Sequence, residues 1–136
     1  MVASRTSRLA PRPQQNPDLP FRRKKSKHNI PQITDILPWN AQGVRHKKNE
    51  LLQLLQTRRI PVALISETYL KVRDKFTMRN YKVYRNDREH RRGGGTAIAV
   101  HKTIQHTVVE NPALHRLEAT VICLNIGNKP TTLVSV

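Results

Sequence analysis

The sequence has little of what several protein classes require. It contains a single cysteine, Cys123, so no internal disulfide and no cysteine-rich zinc site can form, which suits a reducing compartment. No apolar run approaches the roughly 20 residues that a membrane-spanning helix needs. The N-terminus also lacks the apolar segment of a secretory signal. We therefore expect a protein of the nucleus or cytoplasm that is neither secreted nor membrane-spanning.

Aromatic and acidic residues are scarce as well. A length of 136 residues predicts one domain at most, and the aromatic content of 4% predicts a modest aliphatic core. Only nine acidic residues stand against 25 Lys and Arg, and the net charge is +16. This excess favours a polyanionic partner, nucleic acid ahead of a membrane surface. DNA is the first expectation, and RNA is the alternative.

Residues 1–33 differ in composition from the rest of the chain. They contain five prolines and little apolar periodicity, so we expect a disordered basic tail. The densest cluster of charge in this tail suits phosphate contacts or nuclear import, although a merely solvated tail explains it equally well. The cluster contains Arg22, Arg23, Lys24 and Lys25.

Order is expected from residue 34 onward. The stretch TDILPW predicts a short strand, and its proline, Pro38, suits a strand end or an edge strand. The leucine stripe of VRHKKNELLQLLQTRR predicts an amphipathic helix that Pro61 ends. VALISE then predicts a buried strand with apolar cover on both faces. A strand, a helix and a strand in this order indicate a crossover unit rather than a hairpin.

The second half of the chain is predicted to be mostly strand. After ETYLKVRDKFTM, which indicates a loop or a short helix, strands are expected at YKVYR and TAIAVHK. LEATVICLNI and TTLVSV predict a β-hairpin around a Gly-Asn turn.

Two polar residues follow the ends of the first two predicted strands. Asn40 comes after ILPW and Glu67 after VALIS, so their side chains meet at one rim if the strands are neighbours. A carboxylate with a neutral amide oxygen suits Mg²⁺. Two plainer interpretations remain open. Glu67 could cap a short helix over ETYL, and Asn40 could be a turn residue before Gly43.

A loop rich in arginine precedes a run of three glycines. No Lys-Ser or Lys-Thr pair and no helix follow Gly93–Gly95, which argues against a phosphate-binding loop; close packing of the backbone against a neighbouring strand is favoured instead. The arginines suit phosphate contacts, with a solvated loop as the alternative. They are Arg85, Arg88, Arg91 and Arg92.

In combination, these motifs resemble the apurinic-type endonuclease domain of non-LTR (LINE-like, jockey-type) retrotransposons, within the endonuclease-exonuclease-phosphatase superfamily. WN-x-x-G, ET-x-L and the string R-x-DR…GGG-x-AI carry the resemblance, which covers residues 34–136. It implies an α/β (α+β) fold, the four-layer α/β/β/α sandwich, of which this chain would hold the first half. It also implies Mg²⁺-dependent nicking of DNA to prime reverse transcription, in a polyprotein that carries a reverse transcriptase.

The resemblance also assigns roles to individual residues. Asn40 matches the active-site Asn, Glu67 matches the metal-binding Glu, and Gln42 occupies a position where it could donate an oxygen near the metal. The later motifs of the family, a Tyr, Asp-x-Asn and Ser-Asp-His, do not follow in these 136 residues. We therefore expect a truncated domain that binds Mg²⁺ weakly or not at all and does not nick DNA alone. The alternative function is a non-catalytic basic nucleic-acid-binding protein.

Overall fold

A computed structural model describes residues 32–110, 114 and 116–136. The predicted tail lies outside this part of the chain, except for its last two residues. The basic cluster of the tail, Arg22, Arg23, Lys24 and Lys25, lies outside it as well.

The described residues form one α-helix and seven strands. A short 3₁₀ turn at Arg45–Lys47 leads into the helix, and no helix in the described part is long and apolar enough to cross a membrane. In chain order the elements are β1 Ile36–Asn40, α1 Lys48–Thr57, β2 Val62–Ser66, β3 Tyr81–Asn86, β4 Thr96–His101, β5 His106–Val109, β6 Thr120–Ile126 and β7 Lys129–Ser135.

The strands form two sheets. The first has the order β1-β2-β4-β3, with β1 parallel to β2 and the other neighbours antiparallel. The second is the antiparallel sheet β5-β6-β7. The parallel β1-α1-β2 unit confirms the predicted crossover. Pro38 lies in the middle of β1, which its lack of a backbone N–H permits because β1 is an edge strand.

Helix α1 covers one face of the first sheet. Its Leu51 and Leu55 are buried, while Leu54, at the margin of this apolar face, is 43% exposed. The helix is shorter than the predicted segment and ends at Thr57, before Pro61 is reached. The last turn is closed by the amide of Ile60, which donates to the Leu55 carbonyl (2.9 Å), and the left-handed Arg59 (φ 53°) redirects the chain.

Two apolar clusters lie on the two faces of the first sheet. Small residues of β4, Ala97 and Ala99, face the helix, while Ile98 and Val100 face the second sheet. Strand β2 alternates in the same way and is buried on both sides, as VALIS predicted. The layers are therefore helix, sheet and sheet, which matches part of the expected four-layer sandwich.

Polar contacts join the two sheets at their interface. The Ser135 hydroxyl donates to the Ile65 carbonyl (2.7 Å), and the hydroxyls of Thr96 and Thr120 are hydrogen-bonded (2.8 Å). These groups are buried, so leaving any of them unpaired would cost free energy. They specify how the second sheet sits on the first.

The structure contains one strand that the sequence did not predict, and it decides between two alternatives elsewhere. Strand β5 was not predicted, because HTVV is short and its residues are mostly exposed. The segment after Glu67 contains no helix, so the loop alternative holds there. The predicted hairpin is confirmed, with the left-handed pair Gly127 (φ 54°) and Asn128 (φ 65°) at its turn.

Two leucines of α1 provide a matched test of this packing. Leu55→Ala is expected to lower the free energy of unfolding by about 2–5 kcal/mol, because it opens a cavity in a closed core. Leu54→Ala makes the same chemical change on the exposed side and is expected to cost about 0.5 kcal/mol or less. Urea denaturation followed by circular dichroism measures both, and equal losses would contradict this orientation of the helix.

Candidate functional site

The candidate site is the rim at the carboxyl ends of β1 and β2, which we call the β1–β2 rim. Asn40 is the last residue of β1 and pairs with Ser66, so Glu67 is the first residue beyond that pair. The two chains stay together past the strands, since Gly43 N donates to Glu67 O (2.8 Å) and Val44 N donates to Thr68 O (3.0 Å). The two strands are therefore neighbours, as the prediction required, and the meeting of the Asn40 and Glu67 side chains stays a prediction.

Asn40 combines an exposed amide with a turn. Its Oδ1 accepts a hydrogen bond from the backbone N–H of Gln42 (3.2 Å), and the turn continues through the left-handed Gln42 (φ 45°) and Gly43 (φ 96°). The backbone of Asn40 therefore starts a turn, as the plainer of its two predicted roles required. An amide oxygen has a second lone pair, so the turn leaves Asn40 able to accept from, or ligate, a second group. Gln42 is exposed beside it.

Glu67 projects from a strained backbone. Its φ is 54°, a conformation that is costly for a non-glycine residue, and no helix follows it for the carboxylate to cap. The helix-capping alternative is therefore excluded. Its Oε2 accepts a hydrogen bond from the N–H of Gly94 (3.2 Å), which restricts the orientation of the carboxylate.

The glycine run Gly93–Gly95 packs directly against the residues after β2. The amides of Thr68 and Tyr69 donate to the carbonyls of Gly95 (3.1 Å) and Gly94 (2.9 Å). A Cβ added to Gly95 would lie 2.5 Å from the Thr68 hydroxyl oxygen. This is the close backbone approach that the sequence predicted.

An ion pair between Arg88 and Glu118 holds the other side of the glycine run. The Arg88 Nε donates to Oε1 of Glu118, whose Oε2 accepts from the N–H of Gly95 (2.8 Å). The Arg88 guanidinium lies where a side chain on Gly94 would have to be. Adjacent glycine amides are thus bonded to two different carboxylates, those of Glu67 and Glu118.

Sequence reasoning missed Glu118, and the chain offers one weak signal for it. The residue is a lone acid at the start of an otherwise apolar run, LEATVICL, two residues before β6. Its partner Arg88 is 30 positions away, so no local spacing connects them.

The contact between Arg88 and Glu118 shifts the pKa values of both groups. Burial raises the pKa of the Glu118 carboxyl, but the hydrogen bonds from Arg88 and Gly95, with the positive charge of Arg88, outweigh burial and leave it below its usual range. The hydrogen bond to Glu118 in turn raises the pKa of Arg88. Both groups therefore stay charged at neutral pH.

Arg85 is also engaged with protein groups. Its Nη2 donates to the carbonyl of Asp74 (2.6 Å), and its Nε pairs with Oδ2 of Asp87 (3.2 Å). Burial raises the pKa of Asp87, and the Arg85 charge opposes that shift. The side chain of Arg85 thus ties the loop after β2 to β3.

The four predicted phosphate-binding arginines of the loop therefore lie in two settings. Arg91 and Arg92 are exposed just before Gly93, whereas Arg85 and Arg88 have their guanidinium groups bound within the protein. Contact with nucleic acid stays a prediction for all four.

The donors at the rim are hard oxygen ligands. Glu67 supplies a carboxylate, and Asn40 and Gln42 supply amide oxygens, which is a donor set that suits Mg²⁺ with most of its waters retained. Within residues 32–110, 114 and 116–136, no group of three or more His, Cys, Asp and Glu side chains lies close enough to hold a metal ion. The types of donor at the rim therefore suit part of a magnesium site, and their role as ligands stays a prediction.

Solved structures of nucleases have the same fold. The endonuclease domain of TRAS1, a telomere-specific non-LTR retrotransposon, matches with a TM-score of 0.53 and 23% identity, over 74% of this chain and 42% of that domain. An AP endonuclease from Archaeoglobus fulgidus matches with a TM-score of 0.51 and 18% identity, over 71% of this chain and 38% of that enzyme. Searches against protein-family models and curated proteins give no match.

These likenesses show the fold, that of the endonuclease/exonuclease/phosphatase proteins, as the motifs predicted. This chain spans about 40% of the length of the two structures, as the coverages of 42% and 38% show.

Two glycines provide a matched test of the close approach at the rim. Both have left-handed backbones, which alone cost a side chain about 1–2 kcal/mol. Gly127 has nothing within 4 Å of an added Cβ, whereas Gly95 has the Thr68 hydroxyl. Gly95→Ala is therefore expected to lose about 1–3 kcal/mol more than Gly127→Ala, the usual cost of overpacking. Equal melting temperatures for the two variants would contradict this packing.

The Arg88–Glu118 pair predicts an acid-sensitive stability. Because the folded-state pKa of Glu118 lies below its ordinary 4.5, its contribution is present above that pH and is lost as pH falls through the lowered value. The free energy of unfolding should therefore fall more steeply below pH 4.5 in the wild-type chain than in Glu118→Gln. Glu50→Gln, on the exposed side of α1, removes a charge elsewhere and is the control. Identical pH profiles for wild type and Glu118→Gln would exclude the pair as a source of stability.

Proposed function

We propose that this chain carries the first part of the cleavage site of a DNA endonuclease of the retrotransposon type, which hydrolyses a phosphodiester with Mg²⁺. One observation carries the proposal. In a chain with this fold, Asn40 and Glu67 stand at the ends of two paired parallel strands and share one rim. DNA is the proposed substrate, and its charge suits a protein of net charge +16.

In this proposal Glu67 is the principal ligand of the magnesium ion. When bound, the ion supplies positive charge to the phosphate that is being cleaved. The N–H of Gly94 restrains the Glu67 carboxylate so that little freedom is lost on binding, and Asn40 ends the neighbouring strand at the same rim. Gln42 is a weaker donor than Glu67, because its amide carries no charge.

We also propose that these 136 residues do not cleave DNA by themselves. Glu118, the other carboxylate at the glycine run, is committed to Arg88 and to the N–H of Gly95. That leaves Glu67 as the carboxylate offered at the rim, and one carboxylate binds Mg²⁺ weakly. Hydrolysis also needs a group that orients and deprotonates water. We assign no residue of this chain to that step.

Three further parts of the proposal rest on the resemblance of the sequence motifs to retrotransposon endonucleases. They are a jockey-type parent polyprotein with a reverse transcriptase, a nick that primes reverse transcription, and a location in the nucleus or cytoplasm.

The role of Glu67 is testable with Mn²⁺ as the probe. Titration followed by electron paramagnetic resonance is expected to show weak binding to the full chain that Glu67→Gln abolishes, because the carboxylate charge is lost. Glu50→Gln, an exposed acid on α1, should bind as the wild type does. Equal binding by Glu67→Gln and wild type would remove the metal site from the proposal.

A plasmid assay with the wild-type chain and Glu67→Ala tests cleavage. Supercoiled plasmid with Mg²⁺ should remain intact with the wild-type chain and with Glu67→Ala. Nicking by the wild type that Glu67→Ala abolishes would overturn the proposed inactivity while supporting the site.

The positive net charge of the chain also supports a second candidate function. A non-catalytic nucleic-acid-binding protein would use its +16 net charge and exposed arginines such as Arg91 and Arg92. In that case Mn²⁺ binding would not depend on Glu67, and the titration separates the two functions.

A further inference from the structure

Backbone strain is concentrated at the β1–β2 rim. Three non-glycine residues there have left-handed backbones, Gln42 (φ 45°), Glu67 (φ 54°) and Tyr69 (φ 57°). The other such residues in the described part lie in turns outside the rim: Arg59, Asn80 and Asn128. Strained residues persist where the surrounding structure holds them and often where function needs them. Gln42 and Glu67 already belong to the proposed metal site, whereas Tyr69 has no role in it.

The ring of Tyr69 lies between two glycines from different segments. A Cβ on Gly43 would come within 3.3 Å of one edge of the ring, and a Cβ on Gly93 would come within 3.3 Å of the other. Its backbone N–H is bonded to the carbonyl of Gly94, and its chain neighbours Thr68 and Leu70 are buried. The ring is therefore held in one place by the backbone around it.

The ring is nevertheless open to solvent. Tyr69 is 47% exposed, the one large aromatic side chain among the exposed hydrophobic residues of the described part. The other tyrosines are used in packing, since the hydroxyl of Tyr81 donates to Ile60 O (2.7 Å) and that of Tyr84 is bonded to His106 (2.8 Å). Burial of the Tyr69 ring thus does not explain the strained backbone that presents it.

The surroundings of the ring indicate its partner. Tyr69 is two residues from Glu67, and the glycine against its edge, Gly93, directly follows the exposed Arg91 and Arg92. Proteins bind single nucleic acid strands by combining exposed aromatic rings, on which bases stack, with nearby basic residues that neutralise phosphates.

We propose that Tyr69 is a stacking platform for a nucleobase of a DNA strand whose backbone passes the β1–β2 rim. The proposal rests on the proposed function for the kind of polymer that is bound, and it adds a binding residue that touches a base rather than a phosphate. Gly43 and Gly93 leave the space that lets the ring stand at this place.

The test compares Tyr69→Phe with Tyr69→Leu in the full 136-residue chain. Phe keeps the flat ring, whereas Leu keeps apolar bulk but has no ring. Affinity is measured by fluorescence anisotropy on a labelled DNA single strand of about 12 nucleotides, within the range of single-strand site sizes, over a series of salt concentrations. Tyr69→Phe should bind as the wild type does. Tyr69→Leu should bind about 5- to 150-fold more weakly, the loss expected for one stacked base.

The salt series separates stacking from charge. Tyr69→Leu should leave the slope of log affinity against log salt unchanged, because no phosphate contact is lost. The control Arg91→Ala should reduce that slope if Arg91 contacts phosphate, and Leu54→Ala on the exposed side of α1 should change neither quantity.

Failure of this inference differs from failure of the proposed function. Wild-type affinity in Tyr69→Leu would overturn the stacking role and leave the nuclease proposal intact. Absence of any binding by the wild-type chain at low salt would overturn both.

A measurement on the wild-type chain covers the case in which Tyr69→Leu does not fold. Photo-crosslinking to DNA that contains 5-iodouracil should yield a crosslinked peptide that includes Tyr69. Crosslinks confined to other peptides would overturn the proposal.

Discussion

The site depends on the backbone of Glu67–Tyr69, which is hydrogen-bonded on both sides. On one side, Gly43 and Val44 donate to the carbonyls of Glu67 and Thr68. On the other, Thr68 and Tyr69 donate to the glycine run. These bonds extend the first sheet by a few residues past its strands and hold left-handed conformations that would otherwise be costly. The directions of the Glu67 carboxylate and the Tyr69 ring both follow from this arrangement.

Two carboxylates lie against the same glycine run, and their surroundings give them different uses. Glu118 is neutralised by Arg88 and pins the run to the start of β6. Glu67 accepts the N–H of Gly94 and stands at the ends of β1 and β2. A carboxylate that is already ion-paired binds a cation poorly. The hydrogen bond from Arg88 therefore gives Glu118 a structural role, while Glu67 is the proposed metal ligand.

Much of the fold could be predicted because its signals are local. The leucine stripe of α1, the continuous apolar run of β2 and the Gly-Asn turn each determine their element within a few residues. Strand β5 was missed because four mostly exposed residues carry no such pattern; it exists because it pairs with β6. The end of α1 was placed too late, since the left-handed Arg59 rather than Pro61 turns the chain.

The sequence by itself determined the crossover unit, the positions of Asn40 and Glu67 at its strand ends, and the need for glycine at positions 93–95. Each of these follows from the spacing of neighbouring residues. Only the tertiary structure decided that Arg88 belongs to Glu118, that Arg85 ties down a loop, and that the Tyr69 ring is exposed between Gly43 and Gly93. Apart from the short salt bridge to Asp87, these contacts join side chains to groups more than ten positions away in the chain. An arginine that will bind phosphate and one that will bind a carboxylate look the same until the fold brings their partners together.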